Sequence, residues 1–352
     1  TTVDTVELGR VEIPGGRSAE FTVDLPDDVI SLTVLAVQDN DGAFIGVGKL
    51  QGPEGDALIS EAPPGGVDPV AQFASVFPGP FSSPNRMAVA ASGVGGALAP
   101  NNPEVAVGPG TWTIQLLAGD PMSGRPVDAA ADVTVHIKRA AGDPDCGQLD
   151  VHLYFSGAEG WTAATAPDDA RFQRALARMA EFYAEIGISL GEITYNDADL
   201  PLTADATGGP GSDLHDLYSR CAYDTGVCLF FIERLTSPFD GLGGGMGGVG
   251  GVAGGTPGPN LLPGTVRSGV VIATTIAEDP EALGHVMGHE AGHYLGLYHT
   301  REIIGINDQI PDTDDGEDNL MFPTVTSAPA SLSPGQAFVL HRNATVYTPE
   351  AE

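Results

Sequence analysis

The sequence predicts two domains, an all-β sandwich followed by an α/β domain, on the strength of three observations. A chain of 352 residues exceeds the usual size of one hydrophobic core and is long enough for two. Apolar residues alternate with period two from residue 1 to about 141, which is typical of strands. Beyond residue 146, apolar strands alternate with helical patterns, which predicts a sheet packed against helices. We therefore place the domains at residues 1–141 and 146–352, joined by the turn-rich stretch AAGDPDCG.

The first domain contains short runs of β-branched and apolar residues bounded by Gly, Pro, Asn or Asp. Clear examples are RSAEFTVDL, ISLTVLAVQ, RMAVAAS, TWTIQLLAG and ADVTVHIKR. About seven to nine such strands without a convincing helix are typical of an antiparallel sandwich. Residues 108–138 resemble the closing strands of the jelly-roll modules that accompany many secreted bacterial peptidases. That resemblance implies an accessory domain or pro-domain.

The second domain shows strands followed by helices with recognisable ends. Residues 149–157 and 268–276 have the apolar character of buried strands. Residues 169–187 place large apolar side chains at helical spacing. Asp279 and Ser333, each followed by proline, are N-cap signals. They predict a helix over 280–295 and a C-terminal helix that begins with a capping box.

The excess of acidic over basic residues argues against one class of binding partner, the nucleic acids. The chain has 47 acidic and 15 basic residues, a formal net charge of −32. Such a surface repels phosphate backbones, so we expect no nucleic-acid partner. No stretch of the sequence approaches the ~20 consecutive apolar residues of a membrane span, so we expect no membrane-spanning helix.

The three cysteines constrain the compartment. Cys221 and Cys228 flank AYDTGV and could close a small disulfide loop, and the alternative is two buried thiols. Cys146 is then the odd cysteine. A disulfide favours an oxidising compartment, so we expect a secreted or extracytoplasmic protein, with the cell surface included.

A glycine-rich stretch lies between two predicted strands. Eleven of residues 241–258 are glycine. The stretch lacks the lysine and hydroxyl residue of a phosphate-binding loop and opens no helix, so a nucleotide site is not predicted. Two interpretations remain open, a flexible insertion near a binding cleft and a tolerated surface loop.

The stretch GHEAGHYLGLYHT combines three histidines with a glutamate and glycines. If it begins as a helix, His289 and His293 lie four residues apart and project from the same face. Two imidazoles at that spacing can share one metal ion through bonds of ~2.0–2.1 Å. Gly296 allows the chain to leave the helix through a left-handed turn, so that His299 can return as a third ligand.

The fourth position of this predicted metal site stays open. Glu290 points about 100° around the helix from His289 and is better placed beside the ion than bonded to it. Three nitrogen ligands with an open position predict catalytic rather than structural zinc. The alternative is a histidine-rich helix without metal. His285 lies one turn earlier, and we expect it to support the site or pack in the core.

These residues carry a family resemblance. HEAGHYLGLYH matches the zinc signature HExxHxxGxxH of the metzincin metallopeptidases and is most similar to the pappalysin-type branch. DNLMFPT supplies a methionine for the turn that metzincins place beneath the metal. The resemblance implies a metzincin-like fold for the second domain and hydrolysis of polypeptides. It assigns His289, His293 and His299 as zinc ligands, Glu290 as general base and Met321 as the turn methionine.

The resemblance has one departure and one further implication. Several metzincins have a tyrosine two residues after the turn methionine, where this chain has Pro323. We therefore expect the metal itself to stabilise the oxyanion, and the sequence gives no reason to assign that role to Tyr298 or Tyr347. In metzincins the substrate pairs with the strand before the helix, which implies an unpaired edge at residues 268–276.

An acidic run follows the histidine motif and is similar to the segment that the pappalysin-type branch carries there. It comprises Asp308, Asp312, Asp314, Asp315, Glu317 and Asp318. Dense carboxylates suit calcium, although the order does not fit an EF-hand because Gly316 comes one place early after Asp312. A calcium site and a solvated loop both remain open.

The sequence therefore predicts a secreted zinc-dependent endopeptidase that cuts polypeptides. A second hypothesis is a binding or adhesion protein whose zinc domain is inactive or latent. A third makes residues 1–141 an inhibitory pro-segment in which Cys146 blocks the zinc, against a structural or free thiol. Because the second domain closes its own pattern, we also expect it to fold without residues 1–141.

Overall fold

The chain begins with nine strands that follow the period-two pattern of its first 141 residues. The computed structural model describes residues 1–39, 41–59, 88–121, 123, 125–236, 249–301, 307–313, 316–325 and 327–348. The first nine strands are β1 (Thr2–Ile13), β2 (Phe21–Leu25), β3 (Val29–Val37), β4 (Phe44–Gln51), β5 (Ala57–Ile59), β6 (Ala88–Ser92), β7 (Val94–Ala99), β8 (Gly110–Gly119) and β9 (Ala129–Arg139).

These strands form one antiparallel path in the order β1-β9-β3-β7-β6-β4-β8-β2, with β5 paired to β4. β6 connects the two layers, because it pairs with β7 on one side and β4 on the other. Side chains from both layers, including Leu32 and Val135 from one and Val23 and Ile114 from the other, meet in a shared core. The region is an antiparallel β-sandwich, as predicted.

The remaining strands and helices alternate along the chain. The strands are β10 (Gly147–Phe155), β11 (Ile188–Asp197), β12 (Thr203–Asp205), β13 (Val227–Ile232), β14 (Arg234–Thr236), β15 (Gly251–Ala253) and β16 (Val270–Ala273). The helices are α1 (Ala170–Ala184), α2 (Asp213–Tyr218), α3 (Pro280–Tyr294) and α4 (Pro334–Arg342). A sheet in the order β11-β10-β13-β16-β15 forms the centre, and β12 pairs with β14 separately.

The central sheet is buried on both faces. Alternate residues of its strands point to opposite sides, so Leu153 and Phe231 pack in the core that contains α1 and α3. Tyr154 and Phe230 pack on the other face with residues of α2. Burial on both faces explains why β13 reads as a continuous apolar run.

The predicted helix signals are confirmed. Asp279 accepts hydrogen bonds from two backbone N–H groups at the start of α3, and Asp169 does the same for α1. Ser333 and Gln336 form the capping box of α4. Neither α1 nor α3, at 15 residues each, nor any other helix in the described ranges has the length and apolar character needed to cross a membrane.

The predicted open edge at residues 268–276 is wrong. β16 pairs with β13 on one side, in parallel, and with β15 on the other, antiparallel. The edge is occupied because the end of the glycine-rich stretch returns along it as β15. The outer position of the sheet at this end is therefore β15 itself.

The cysteines and the contact between the two regions complete the fold. Cys221 and Cys228 are joined by a disulfide, with 5.9 Å between their Cα atoms. Cys146 is an exposed free thiol in the connection between the regions. The sandwich packs on the second region through β7 and β9, and Leu98 of β7 belongs to the core beneath α3.

Candidate metal centre

Helix α3 and the turn that follows it bring three histidines together. His289 and His293 lie on successive turns of one face of α3. The chain passes the C-cap Leu295 and turns at Gly296, whose φ of 111° lies in the region that favours glycine. This turn returns His299 to the same face, as the sequence predicted.

The three imidazoles converge through the same ring atom. Nε2 of His293 lies 3.1 Å from Nε2 of both His289 and His299, and 3.2 Å separates the latter two. Nitrogen ligands at ~2.0–2.1 Å from a tetrahedral zinc lie about 3.3 Å apart. The described residues contain one such group of potential ligands, and it consists of these three side chains.

Backbone carbonyls fix the protonation of two of the rings. Nδ1 of His289 donates to the carbonyl of Leu320, and Nδ1 of His293 donates to the carbonyl of Leu297, each at 2.7 Å. A neutral ring that donates through Nδ1 carries a lone pair on Nε2. Two lone pairs therefore point at each other across 3.1 Å, an arrangement that a cation would stabilise. Burial and the neighbouring histidines lower the pKa of His289 well below its usual value.

A tight turn beneath the histidines contains Met321. Its side chain is fully buried, and a Cβ on Gly292 of α3 would lie 2.7 Å from its sulfur. Met321 therefore packs directly under α3 between the turns that bear His289 and His293. The amide of Asn319 holds this turn by accepting from the Met321 N–H.

Glu290 lies beside the histidines rather than among them. Its side chain borders a cleft of about 310 Å³ together with His293 and His299. Desolvation raises the pKa of Glu290 to about 8, opposed by a hydrogen bond from the Ala253 N–H. A nearby cation would act in the opposite direction and favour the carboxylate. Glu290 thus lies beside the histidine group and is not a member of it.

The opposite side of the cleft comes from residues that sequence reasoning did not assign. Gly251, Val252 and Ala253 of β15 line it, together with Thr256 and Tyr298. At Gly251, a Cβ would lie 2.5 Å from Cγ of Glu290, so only glycine leaves room for the glutamate. Of the two interpretations of the glycine-rich stretch, residues 249–258 fit the binding cleft, and 241–248 lie outside the described residues.

Of the other three side chains considered in the sequence, Tyr298, Tyr347 and His285, only Tyr298 lines the cleft. The Tyr298 hydroxyl donates to the carbonyl of Thr256 at the cleft, whereas the Tyr347 hydroxyl donates to Asp150 on β10. His285 is buried and packs against the ring of Phe182, 5.3 Å away between ring centres. It is not part of the histidine group.

The acidic run does not form a cluster in its described part. Asp312 accepts from the Ser333 hydroxyl and the Gly335 N–H at the start of α4. Asp308 accepts from the Ile310 N–H and the Thr313 hydroxyl. Neither these two carboxylates nor Glu317 and Asp318 belong to a group of potential metal ligands within the ranges described. Asp314 and Asp315 lie outside the described residues.

Comparison with known proteins identifies no family, so a function has to be argued from the geometry of the site. No protein-family model matches the chain, and no curated protein is similar to it. The histidine group, which could hold a metal ion, and the carboxyl group beside it are therefore the features on which a function can rest.

Proposed function

We propose that the protein is a zinc-dependent endopeptidase of the metzincin type. In this proposal His289, His293 and His299 hold one zinc ion, and Glu290 is the general base. The observation that carries it is the convergence of three Nε2 atoms beside a carboxyl group at a cleft. A purely structural cluster of buried imidazoles would pair their ring nitrogens with donors or acceptors, not with each other.

The donor set fits zinc better than other common metals. Three imidazoles with no fourth protein ligand in the described residues leave a position for water or substrate. Calcium and magnesium prefer oxygen ligands, which this group lacks. When bound, zinc would lower the pKa of a water molecule towards ~7 and polarise a substrate carbonyl.

The residues around the histidines supply the rest of the reaction. Glu290 takes a proton from the attacking water and returns it to the leaving amine, as general base and then general acid. Gly251 leaves the space that this carboxyl group needs. The peptide lies along β15, whose residues line the cleft, and pairs with it as an added strand. With Pro323 in place of the auxiliary tyrosine, oxyanion stabilisation falls to the metal.

The setting of the enzyme follows from its covalent chemistry and charge. The Cys221–Cys228 disulfide supports an oxidising compartment, so we infer a secreted or cell-surface enzyme. Its strong negative charge disfavours nucleic acid and favours polypeptides that are not strongly acidic.

Replacing the general base tests the proposal. Glu290→Gln should keep the zinc and the fold, yet lower cleavage of a peptide library by about 10²–10⁴-fold. The matched control is Glu278→Gln, an exposed glutamate just before α3, which should cleave like the parent chain. Equal cleavage by Glu290→Gln and the parent would sink the proposed mechanism. A zinc-loaded parent that cleaves nothing would instead favour the binding or adhesion protein.

A further inference from the structure

The β-sandwich reaches the histidine group through three side chains, and we propose that it is a positioning part of the active site. This inference rests on the proposed function and concerns Leu98, His136 and Lys138. His136 contacts what we call the cleft wall, residues 251–260, and Leu98 packs against the turn that ends α3. Lys138 contacts the segment 341–346, which in turn contacts the C-cap of α3. An accessory domain or a removable pro-segment would leave those elements complete after its departure, whereas this sandwich would not.

His136 on β9 holds the far end of the cleft wall. The ring is 2% exposed, and its Nε2 donates to the carbonyl of Asn260 at 3.0 Å. Its Nδ1 accepts from the Thr5 hydroxyl, also at 3.0 Å. The two contacts select one neutral tautomer, and burial lowers the pKa of His136, which maintains that neutral form. The sandwich thus supplies a directional bond to the segment that forms one side of the cleft.

The same end of the cleft wall is also tied to α3. The Gly258 N–H donates to the carbonyl of Tyr294 at 2.9 Å, and the Tyr294 hydroxyl donates to the carbonyl of Pro259. Two residues before Gly258, the Thr256 carbonyl accepts from the Tyr298 hydroxyl in the cleft. The C-terminal end of the wall is therefore held jointly by His136 of the sandwich and the last turn of the metal helix. Loss of the His136 contact removes one of the two supports of this end.

Leu98 on β7 supports the turn that delivers the third histidine. Its side chain is 1% exposed and belongs to the core beneath α3 rather than to that of the sandwich. A Cβ at Gly296 would lie 2.8 Å from Cδ2 of Leu98. The sandwich therefore packs directly against the turn between α3 and His299.

Lys138, two residues beyond His136 on the same face of β9, anchors the end of α3 indirectly. Its ammonium group is buried and donates to the carbonyls of His341, Asn343 and Val346. These contacts use all three of its donors. The Asn343 amide in turn donates to the carbonyl of Leu295, the C-cap of α3, at 2.8 Å. Lys138 thereby fixes the loop that holds the last turn of the metal helix.

These contacts change the expectation that the second domain folds without residues 1–141. A shortened chain would expose to water the apolar surface that Leu98 covers beneath α3. It would also lose the directional contacts of His136 and Lys138 that hold the cleft wall and the segment 341–346. The same reasoning argues against the pro-segment hypothesis, because release of the sandwich would loosen the centre that release should activate.

Amide hydrogen exchange on the full chain tests the His136 contact directly. His136→Leu should speed exchange of the Gly258 amide about ten-fold or more, because this end of the wall loses one of its two supports. His136→Gln keeps a donor towards Asn260 and should restore slow exchange. Should His136→Leu not fold, Thr5→Val removes only the hydroxyl that sets the tautomer and should also speed exchange. Unchanged exchange in a folded His136→Leu or Thr5→Val variant overturns the proposal, whether or not the chain cleaves peptides.

The two lysines of the sequence provide a matched test of the link to α3. Lys138→Met should release zinc to a chelator about ten-fold faster than the parent chain, since groups that orient ligands typically change metal affinity ~10–100-fold. Lys49→Met removes a lysine paired with Glu20 on the sandwich surface and should release zinc like the parent. Equal release by the two variants contradicts a positioning role for Lys138. A parent that binds no zinc would contradict the proposed function instead, while the exchange experiment would still decide the sandwich contact.

Cleavage of the chain between the two regions distinguishes a positioning role of the sandwich from an inhibitory one. A site-specific protease sequence inserted at the exposed Gly142 allows the two regions to be cut apart without changing either. The pieces should stay together in gel filtration and keep their zinc. Separation of the pieces with a gain in peptidase activity would overturn the proposal in favour of a pro-segment.

Discussion

Helix α3 and the cleft wall face each other across one cleft, yet the chain specifies them in opposite ways. α3 depends on local signals, namely an N-cap at Asp279, histidines four residues apart and a glycine that ends the helix. The cleft wall has no such signals, and distant groups hold it in place. They are β16, Tyr218, Tyr294 and His136.

The proposed metal ligands and the proposed peptide-binding surface therefore differ in how the chain brings them together. The groups that would hold a metal lie within eleven consecutive positions, from His289 to His299, so local conformation brings them together. The surface that would hold a peptide is assembled from the sheet, the helix and the sandwich. Changes in the cleft wall should therefore affect catalysis and stability without removing metal, and changes in the histidines should remove it.

The largest expected effect of a single methyl group is at Gly251. In Gly251→Ala the new Cβ would lie 2.5 Å from Cγ of Glu290, so the carboxyl group must move. Misplacement of a catalytic group by about 1 Å can cost ~10²-fold in rate, and we expect a loss of that order with zinc content unchanged. The measurement is kcat on a cleaved library peptide beside metal analysis. A fully active Gly251→Ala would show that Glu290 does not need its present position.

A second glycine of the cleft wall tests its packing against α3. In Gly258→Ala the Cβ would lie 2.1 Å from the ring of Tyr294, and overpacking of this kind costs about 1–3 kcal/mol. The control is Gly209→Ala, where nothing lies within 4 Å of the added atom. Denaturant unfolding should show a loss for the first variant and no loss for the second. Equal stability of both would mean that the wall is not packed on the helix.

The N-cap of α3 can be removed without changing any residue of the cleft. Asp279→Ala removes the side chain that accepts from Glu281 and Ala282 and should lower the free energy of unfolding by about 1 kcal/mol. The neighbouring Glu278, which caps nothing, gives the control Glu278→Ala. A smaller loss for Asp279→Ala than for the control would show that the cap does not define the start of the helix.

The smallest expected effect is a dependence of stability on pH at the contact with the sandwich. Burial is the main cause that lowers the pKa values of His136, His215 and His341 below 6.5. Below about pH 6.5 the unfolded chain takes up protons that these folded imidazoles resist, so the free energy of unfolding falls as the pH falls. In His136→Gln part of that decline should disappear. An identical pH profile for parent and variant would exclude a contribution from His136.

The metal centre could be predicted from the sequence because its determinants are local. Asp279, the histidine spacing and Gly296 each act within a few residues, and the structure places them as expected. Met321 needed the family resemblance, since nothing local links it to α3. The acidic run shows the limit of composition. Asp312 accepts from Ser333 and Gly335 at the start of α4, and the described carboxylates of the run form no group of potential metal ligands.

The cleft wall could not be predicted, because its determinants are not local. Glycines carry no hydrophobic period, so the stretch gave no strand signal. Its pairing with β16 places Gly251 opposite Ile272, a partner that sequence spacing alone does not select. Likewise, His136 and Lys138 follow the strand pattern of β9, and their contacts with the second region depend on how the two regions pack.

Zinc content of the purified full chain tests the central claim most directly. Three Nε2 atoms that converge within 3.2 Å predict one zinc per chain in protein never exposed to a chelator. His293→Ala should lose the zinc, because two remaining imidazoles hold it poorly. A parent chain with well under one equivalent of zinc, or a His293→Ala variant that retains a full equivalent, would contradict the assignment of this histidine group as the metal centre.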